Sequence, residues 1–289
     1  MGNASYIGRF APSPSGPLHF GSLVAALASY LDARNHDGLW LLRIEDLDPP
    51  RESSMAPKEI MTQLHACGLE WDQEVTYQSA RIDVYERYLE NLAEQNVLYP
   101  CVCARKKIPS VYSGTCRDRT YSSTEKPYAI RFRINNPLVQ FNDIFVGEAS
   151  YDTTREIGDF IVKRKDELFA YQLAVIVDDC EQKVNHVIRG NDLLSSTPRQ
   201  ILIAAQLSLP VPRYGHLPLV VDRNGNKLSK QTHAAPIDTS SPLSTLRHAL
   251  RVLGQDTQDH ATNTKQLLSN ASRKWKRSLV PNNNHVHGN

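Results

Sequence analysis

The stretch Arg9-Phe10-Ala11-Pro12-Ser13-Pro14-Ser15-Gly16-Pro17-Leu18-His19-Phe20-Gly21-Ser22 carries several groups suited to an anion. Gly16 and Gly21 permit close backbone approach, Ser13, Ser15 and Ser22 supply hydroxyls, and His19 stands where a helical pattern begins. A helix start leaves backbone N–H groups unpaired and carries partial positive charge, so a phosphate-bearing ligand suits this collar. The loop is neither a Walker nor a G-x-G-x-x-G motif, and a Pro-rich connector with a surface histidine fits the same residues. A second group, Asn224-Gly225-Asn226-Lys227-Leu228-Ser229-Lys230-Gln231, joins an Asn-Gly turn signal to two lysines. Such lysines could fold over a polyphosphate and neutralise charge as it develops; alone, they fit an exposed charged turn. The third group is Cys101-Val102-Cys103 followed by Tyr112 and Cys116. Three thiolates can bind Zn²⁺ tetrahedrally with a fourth ligand from another side chain or water, although the spacing is not a C-x-x-C pair and suits unliganded thiols equally.

These groups need a frame. Residues 6–10 read as a short buried strand, and the Pro- and Gly-rich loop after them is neither helix nor strand. From Gly21, Leu23, Leu27, Tyr30 and Leu31 recur at helical spacing until turn residues cluster over 35–38. Residues 39–44 form an apolar run ending at Glu45-Asp46, which completes a βαβ unit and predicts a parallel sheet with a right-handed crossover. Helices are expected over 57–67 and 83–96, the second with its apolar or aromatic positions at Val84, Tyr88, Leu92 and Val97. From 100 to 127 the texture shifts to Cys, Ser, Thr, Lys and Arg, which marks an insertion. A half-exposed strand carrying Arg131 and Arg133 is expected over 129–134, and two strand-like runs lie within 159–177 around a turn at Lys165-Asp166-Glu167. Residues 198–207 read as helix. Beyond Gly254 large apolar residues thin out, and 281–289 is expected to be disordered.

With 40% apolar and 22% charged residues among 289, the chain is neither disordered nor fibrous. Its 33 basic and 31 acidic side chains nearly cancel, so bulk charge decides nothing about a nucleic-acid partner. No run reaches the ~18 apolar residues of a membrane span, and the first ten residues lack a signal-peptide pattern. Five cysteines, an odd number, suggest a reducing compartment; the expectation is a cytoplasmic protein without a membrane partner. Cys67 and Cys180 read as buried small hydrophobes.

Taken together, Pro17-Leu18-His19-Phe20-Gly21-Ser22 and Lys227-Leu228-Ser229-Lys230-Gln231 resemble the HIGH and KMSKS signatures of class I aminoacyl-tRNA synthetases, in the right order on a βαβ frame. The second departs from KMSKS at Leu228 and Gln231 and keeps both lysines. The stretch from Arg9 to Gly16, Leu42-Arg43-Ile44-Glu45-Asp46-Leu47-Asp48 and Val187-Ile188-Arg189-Gly190-Asn191-Asp192-Leu193-Leu194 are similar to the glutamyl-tRNA synthetase catalytic core. The resemblance spans roughly residues 5–250. A full glutamyl-tRNA synthetase continues into a helical anticodon-binding domain, for which the sequence after the KMSKS-like stretch leaves little room. The pattern therefore resembles the shortened paralogue family, the glutamyl-Q tRNA(Asp) synthetases.

That resemblance implies an α/β fold: a Rossmann-type catalytic domain split into 1–98 and 167–253, an inserted zinc-bearing α+β subdomain over 99–166, a helical or disordered tail over 254–289, and no anticodon-binding domain. It implies activation of L-glutamate with ATP without tRNA, then transfer to the queuosine base in the anticodon of tRNA(Asp), by a monomer. His19, Lys227 and Lys230 would be catalytic. Pro12, His19, Gly21, Ser22, Lys227, Ser229 and Lys230 would meet ATP and its Mg²⁺. Arg9, Ala11, Ser13, Glu45, Tyr171 and Arg189 would hold glutamate; the expectation puts all of the charged ones, and Tyr171, at or near strand ends. One structural Zn²⁺ per chain would sit on Cys101, Cys103, Tyr112 and Cys116. Rival expectations are a glutamyl-tRNA synthetase fragment that charges the 3′ end of tRNA(Glu), and an idle RNA-binding module. The basic run Arg273-Lys274-Trp275-Lys276-Arg277 would either touch tRNA phosphates or form a solvated helix face.

Overall fold

Parallel pairing in the first eighty residues sets the frame. The computed structural model describes residues 5–104, 106, 108, 111–119, 127–222, 225 and 235–288. Strand β1 (Ile7–Phe10) leads through the Pro-rich loop into helix α1 (Phe20–Asn35), and β2 (Leu39–Ile44) returns beside β1 in parallel, Arg9 opposite Leu41. Helix α2 (Ala56–Ala66) follows, and the short β3 (Thr76–Tyr77) adds to the far side of β2, again in parallel. The expected βαβ unit is present within a residue or two of its predicted limits.

Helix α3 (Ile82–Glu94) buries Tyr85, Leu89 and Leu92, a face turned one residue from the expected Val84 and Tyr88, which stay half-buried. Tyr85 wins the inward position because its hydroxyl donates to the buried carboxylate of Asp178 at 2.8 Å, a partner invisible to apolar periodicity. Strands β4 (Leu98–Cys101), β5 (Ala129–Phe132) and, further on, β8 (Phe160–Lys163) form an antiparallel sheet, with β6 (Leu138–Asp143) and β7 (Gly147–Asp152) as a separate hairpin between. Among the described residues, 99–166 holds these strands and their turns together with a short π-helical segment, Thr153–Ile157. Arg131 is not half-exposed: it is buried with its guanidinium 3.8 Å from the Tyr112 ring centroid and donates to the Asp159 carbonyl.

The apolar run read as a second strand is instead helix α4 (Tyr171–Glu181), with Leu173 to Asp179 buried throughout. A short apolar run looks the same as a buried strand or a buried helix, and here the helical solution prevails. Strand β9 (His186–Gly190) then lies against β1, the Asn185 N–H reaching the Ile7 carbonyl at 3.0 Å. Helix α5 (Thr197–Gln206) returns the chain to β10 (Arg213–Leu217), parallel to β9, and β11 (Leu219–Val221) follows at once. One core lies between α1, the β1–β2 layer and the C-terminal helices α6 (Pro242–Val252) and α7 (Thr264–Lys274); a second joins α3, α4 and α5. Cys67 is buried as expected, whereas Cys180 is half-buried.

The expected disorder over 281–289 is not what the described part of it shows. Residues His285–His287 form β12, parallel to β11. Gly254, at φ +69, turns the chain after α6 so tightly that a Cβ there would collide with the Leu279 carbonyl. The basic run is not a helix face in its entirety, although Arg273, Lys274 and Lys276 are exposed. Helix α7 stops at Lys274; Trp275 turns inward, and Arg277 forks onto Asp32 of α1 at 2.7 and 2.8 Å. The fully buried Asp32 also accepts from Trp275 Nε1 (2.9 Å) and the Tyr6 hydroxyl (2.6 Å). Burial pushes its pKa up, but Arg277 and these donors outweigh burial and hold it below the usual carboxylate value. Asp32→Ala is expected to destabilise the fold by about 3–5 kcal/mol, because it strands Arg277 and two buried donors. Urea unfolding checks this, and a midpoint equal to wild type would remove Asp32 as the anchor of the tail.

Candidate active site

A cavity of about 580 Å³ opens at the carboxyl ends of β1, β2 and β9, where open parallel sheets bind ligands. Arg9 enters from the end of β1, Glu45 directly follows β2, and Arg189 comes from the end of β9. Tyr171 lines the same cavity from the first residue of α4, which corrects its expected strand position. Ala11, Pro12 and Ser13 contribute from the loop, and His19, Gly21 and Ser22 from the start of α1. The described residues singled out for glutamate and ATP thus share one enclosure.

Local hydrogen bonding explains how the loop is held. His19 caps α1 in an extended conformation, its Nδ1 accepting the Ser22 N–H at 3.2 Å, with the Ser22 hydroxyl 2.9 Å from Nε2. The Glu45 N–H donates to the Pro12 carbonyl and the Ser53 N–H to the Pro14 carbonyl, so the end of β2 and the chain beyond it brace the collar. The expected Asn-Gly turn is seen at Gly225, whose N–H donates to the Asp222 carbonyl and whose φ is +79. Lys227, Leu228, Ser229, Lys230 and Gln231 lie outside the described residues. Where description resumes, Pro236 bridges His19 and the Ile237 N–H donates to the Leu18 carbonyl at 3.0 Å.

Beneath the cavity lies a charged layer that sequence reasoning missed. Asp179 receives Arg9 Nε at 3.2 Å and Arg43 NH2 at 2.8 Å. Arg43 is fully buried, reaches Gln182 at 2.7 Å and lies 3.4 Å from Glu45. Asp178 takes Gln78, Arg81 and Tyr85. Burial raises the Asp179 pKa, yet Arg9 and Arg43 outweigh it and keep the carboxylate ionised below its usual range. Glu45 goes the other way: burial raises it further than Arg43 and Arg9 lower it. An ammonium group arriving there would restore the balance. The available signals are a charged residue, Arg43, inside an apolar strand, and the Asp178-Asp179 pair directly after an apolar run.

Arg189 is buried and spends its donors on protein groups: Nε on His216 (2.9 Å), NH2 on Thr197 (2.8 Å) and Gln200 (2.9 Å), and NH1 on the Tyr171 hydroxyl (3.2 Å). Burial raises the Tyr171 pKa, so its hydroxyl stays protonated and available as a donor.

The cysteine cluster is separate. The ligand atoms of Cys101, Cys103 and Cys116 lie within 4.8 Å of one another, with Cys103 and Cys116 Sγ 3.5 Å apart. The Tyr112 hydroxyl stands 3.5 Å from Cys101 Sγ and 3.7 Å from Cys103 Sγ, and accepts the Cys116 N–H at 2.9 Å. A tetrahedron around a metal with sulfur at ~2.3 Å has edges of roughly 3.7 Å, so these four residues fit a tetrahedral ion such as zinc. The three close cysteines could therefore hold a metal. No helix among the described residues is long and apolar enough to cross a membrane.

Residues 7–251 match the family model for class I tRNA synthetases (E and Q), catalytic domain. The chain is 44% identical to the glutamyl-Q tRNA(Asp) synthetase of Pseudomonas putida strain GB-1 over 97% of its length and 96% of the relative's. With that of Vibrio parahaemolyticus the identity is 46%, over 96% and 95% of the two chains. Among solved structures, a glutamate tRNA ligase from Elizabethkingia meningosepticum superposes with a TM-score of 0.83 at 24% identity, covering 99% of this chain and 67% of that one. The glutamate-tRNA synthetase of Elizabethkingia anophelis gives 0.81 at 25%, covering 98% and 68%. Sequence identity along nearly the whole length, on a class I catalytic fold, means that the chain belongs to the glutamyl-Q tRNA(Asp) synthetase family of tRNA synthetase ligases.

Proposed function

We propose that this protein activates L-glutamate with ATP, without requiring tRNA, and then transfers the glutamyl group to the queuosine base in the anticodon of tRNA(Asp). The observation that carries the reading is a single cavity in which Arg9, Glu45, Tyr171 and Arg189 face the collar of His19 and Ser22. Guanidinium forks match carboxylates, and a carboxylate matches an ammonium, so this set suits an acidic amino acid. Arg9 and Arg189 would bind glutamate's carboxylates and Glu45 its ammonium, with Tyr171, Ala11 and Ser13 fixing the pose. Pro12, His19, Gly21 and Ser22 would seat ATP. Lys227, Ser229 and Lys230 would close on the phosphates by family resemblance.

In the first step a glutamate carboxylate oxygen attacks the α-phosphorus; a C–O–P linkage forms and pyrophosphate leaves. In the second, the base takes the glutamyl carbonyl and AMP leaves. The protein's work is to position reactants and stabilise charge. Mg²⁺ bound with ATP would neutralise phosphate charge. Cys101, Cys103, Tyr112 and Cys116 would hold one structural Zn²⁺ and fasten the 99–166 insertion between catalytic halves 1–98 and 167–253, with 254–289 packed as a tail. A tRNA substrate suits a cytoplasmic protein.

Labelled glutamate incubated with queuosine-containing and queuosine-free tRNA(Asp) tests the reading. Label is expected only on the former, and it should survive periodate removal of the tRNA 3′ diol. Label on tRNA(Glu) that periodate abolishes would favour 3′-end charging instead. Lys230→Ala is expected to lower glutamate-dependent ATP–pyrophosphate exchange about 10²-fold or more, the scale of one lost transition-state donor; exchange at the wild-type rate would refute the role. Cys103→Ser is expected to release zinc and loosen the insertion before the parallel sheet; metal analysis with unchanged stoichiometry would contradict the ligand set.

A further inference from the structure

Behind Arg189 lies a buried pair that the proposed chemistry does not use. His216 on β10 and Asp143 at the end of β6 are 1% and 3% exposed, and His216 Nδ1 lies 2.6 Å from Asp143 Oδ2. Asp143 Oδ1 meanwhile accepts the backbone N–H groups of His216, Phe145 and Val146 at 3.0–3.1 Å, which locks the carboxylate in place. Arg189 Nε is a hydrogen-bond donor and points at His216 Nε2 from 2.9 Å. Two donors cannot face each other at that distance, so Nε2 must hold a lone pair and the single ring proton must sit on Nδ1, donated to Asp143. Thr197 agrees with this assignment: its Oγ1 accepts from Arg189 NH2 and has its own proton to offer Nε2 at 3.2 Å.

We infer that Asp143 and His216 form a positioning pair for Arg189: Asp143 fixes the imidazole tautomer, and the neutral imidazole fixes the guanidinium so that NH1 is presented beside Tyr171 at the cavity. The consequence for substrate rests on the reading of Arg189 as a glutamate ligand. Neither His216 nor Asp143 lines the cavity, so they act through Arg189 and not on the reacting atoms. The orientation of an arginine fork decides whether it meets a carboxylate, so a misplaced fork costs affinity before it costs turnover.

The surroundings of His216 favour the neutral ring. The charged and titratable groups that face it are Asp143 from β6, Arg189 from β9, Asp192 from the turn after β9, and Tyr214 on its own strand; Thr197 and Gln200 of α5 complete the shell as neutral partners. Burial and the Arg189 charge push its pKa down, and outweigh the hydrogen bond to Asp143 and the charge of Asp192. The arrangement is therefore intact through neutral pH. It fails only on the acid side of the ordinary histidine range, where a proton on Nε2 would confront Arg189.

Three variants and one spectrum test this. In Asp143→Asn the amide that replaces Oδ2 donates to Nδ1 and forces the proton onto Nε2. His216→Leu removes the acceptor, and His216→Gln offers a carbonyl oxygen close to where Nε2 stood. Asp143→Asn and His216→Leu are expected to raise the KM for glutamate in ATP–pyrophosphate exchange about tenfold or more, with kcat within about threefold, the scale of one charge-assisted hydrogen bond. His216→Gln should recover to within about threefold of wild type. It should also lose the rise in KM that wild type shows as acid protonates the histidine. Unchanged KM in both disruptive variants, or a glutamine variant as impaired as leucine, would overturn the proposal. Nitrogen-15 spectra of the wild-type protein should show His216 protonated at Nδ1 alone at neutral pH, and an Arg189 Nε–H that exchanges slowly in wild type and quickly in Asp143→Asn. A proton on Nε2, or no change at Arg189, would overturn it as well. If wild type shows no glutamate-dependent exchange, the substrate reading fails, and the spectra still decide whether the pair positions Arg189.

Discussion

Asp178 and Asp179, adjacent on α4, face the guanidinium groups of Arg81, Arg43 and Arg9 in a layer nearly closed to water. This contact ties the first half of the parallel sheet to the helix that follows the insertion, residues more than 130 positions apart. Removing one member of such a buried set commonly costs about 3–5 kcal/mol, whereas the intact set stabilises little over an apolar replacement. Its significance is therefore positional. Asp179 holds the Nε of Arg9 at the cavity, and Asp179 stays ionised because Arg9 and Arg43 together outweigh its burial. Glu45 lies within reach of the same Arg43 and is held at the cavity wall in consequence.

Arg189 is fixed by a different logic. Its neighbours are neutral acceptors, apart from the His216–Asp143 pair behind it. The two arginines of the cavity thus differ in kind: Arg9 is set directly beside a formal negative charge, while Arg189 donates to uncharged groups. The asymmetry suits a substrate with two carboxylates and one ammonium, since the three charges meet three different environments.

Much of this was legible before any coordinates. The βαβ unit, the collar at His19 and the cysteine spacing are local features, set by periodicity, turn residues and short-range ligand geometry. Tyr171 was found by resemblance but assigned to a strand, because a run buried on every side loses the period that separates helix from strand. Val84 and Tyr88 were preferred over Tyr85 because apolar spacing ignores a hydroxyl seeking Asp178. Asp143 and His216 stayed unread for a related reason: their meaning lies in pairing across 73 residues, and nothing near either one announces it. Residues 281–289 look too polar to order, yet His285–His287 pair with β11, and Trp275 and Arg277 of the basic run find Asp32 more than 240 residues earlier. Polar residues with distant partners are where single-chain reasoning stops.

The ladder between β12 and β11 carries a practical corollary for anyone handling this enzyme. Leu219 to Val221, with Val220 at the cavity wall, share backbone bonds with His285 to His287, and the Gly288 N–H reaches the Val221 carbonyl at 2.9 Å. A purification handle or fluorescent fusion attached beyond Gly288 would pull on a strand that borders the cavity. Assays on carboxyl-tagged preparations would then report the tether as much as the catalyst.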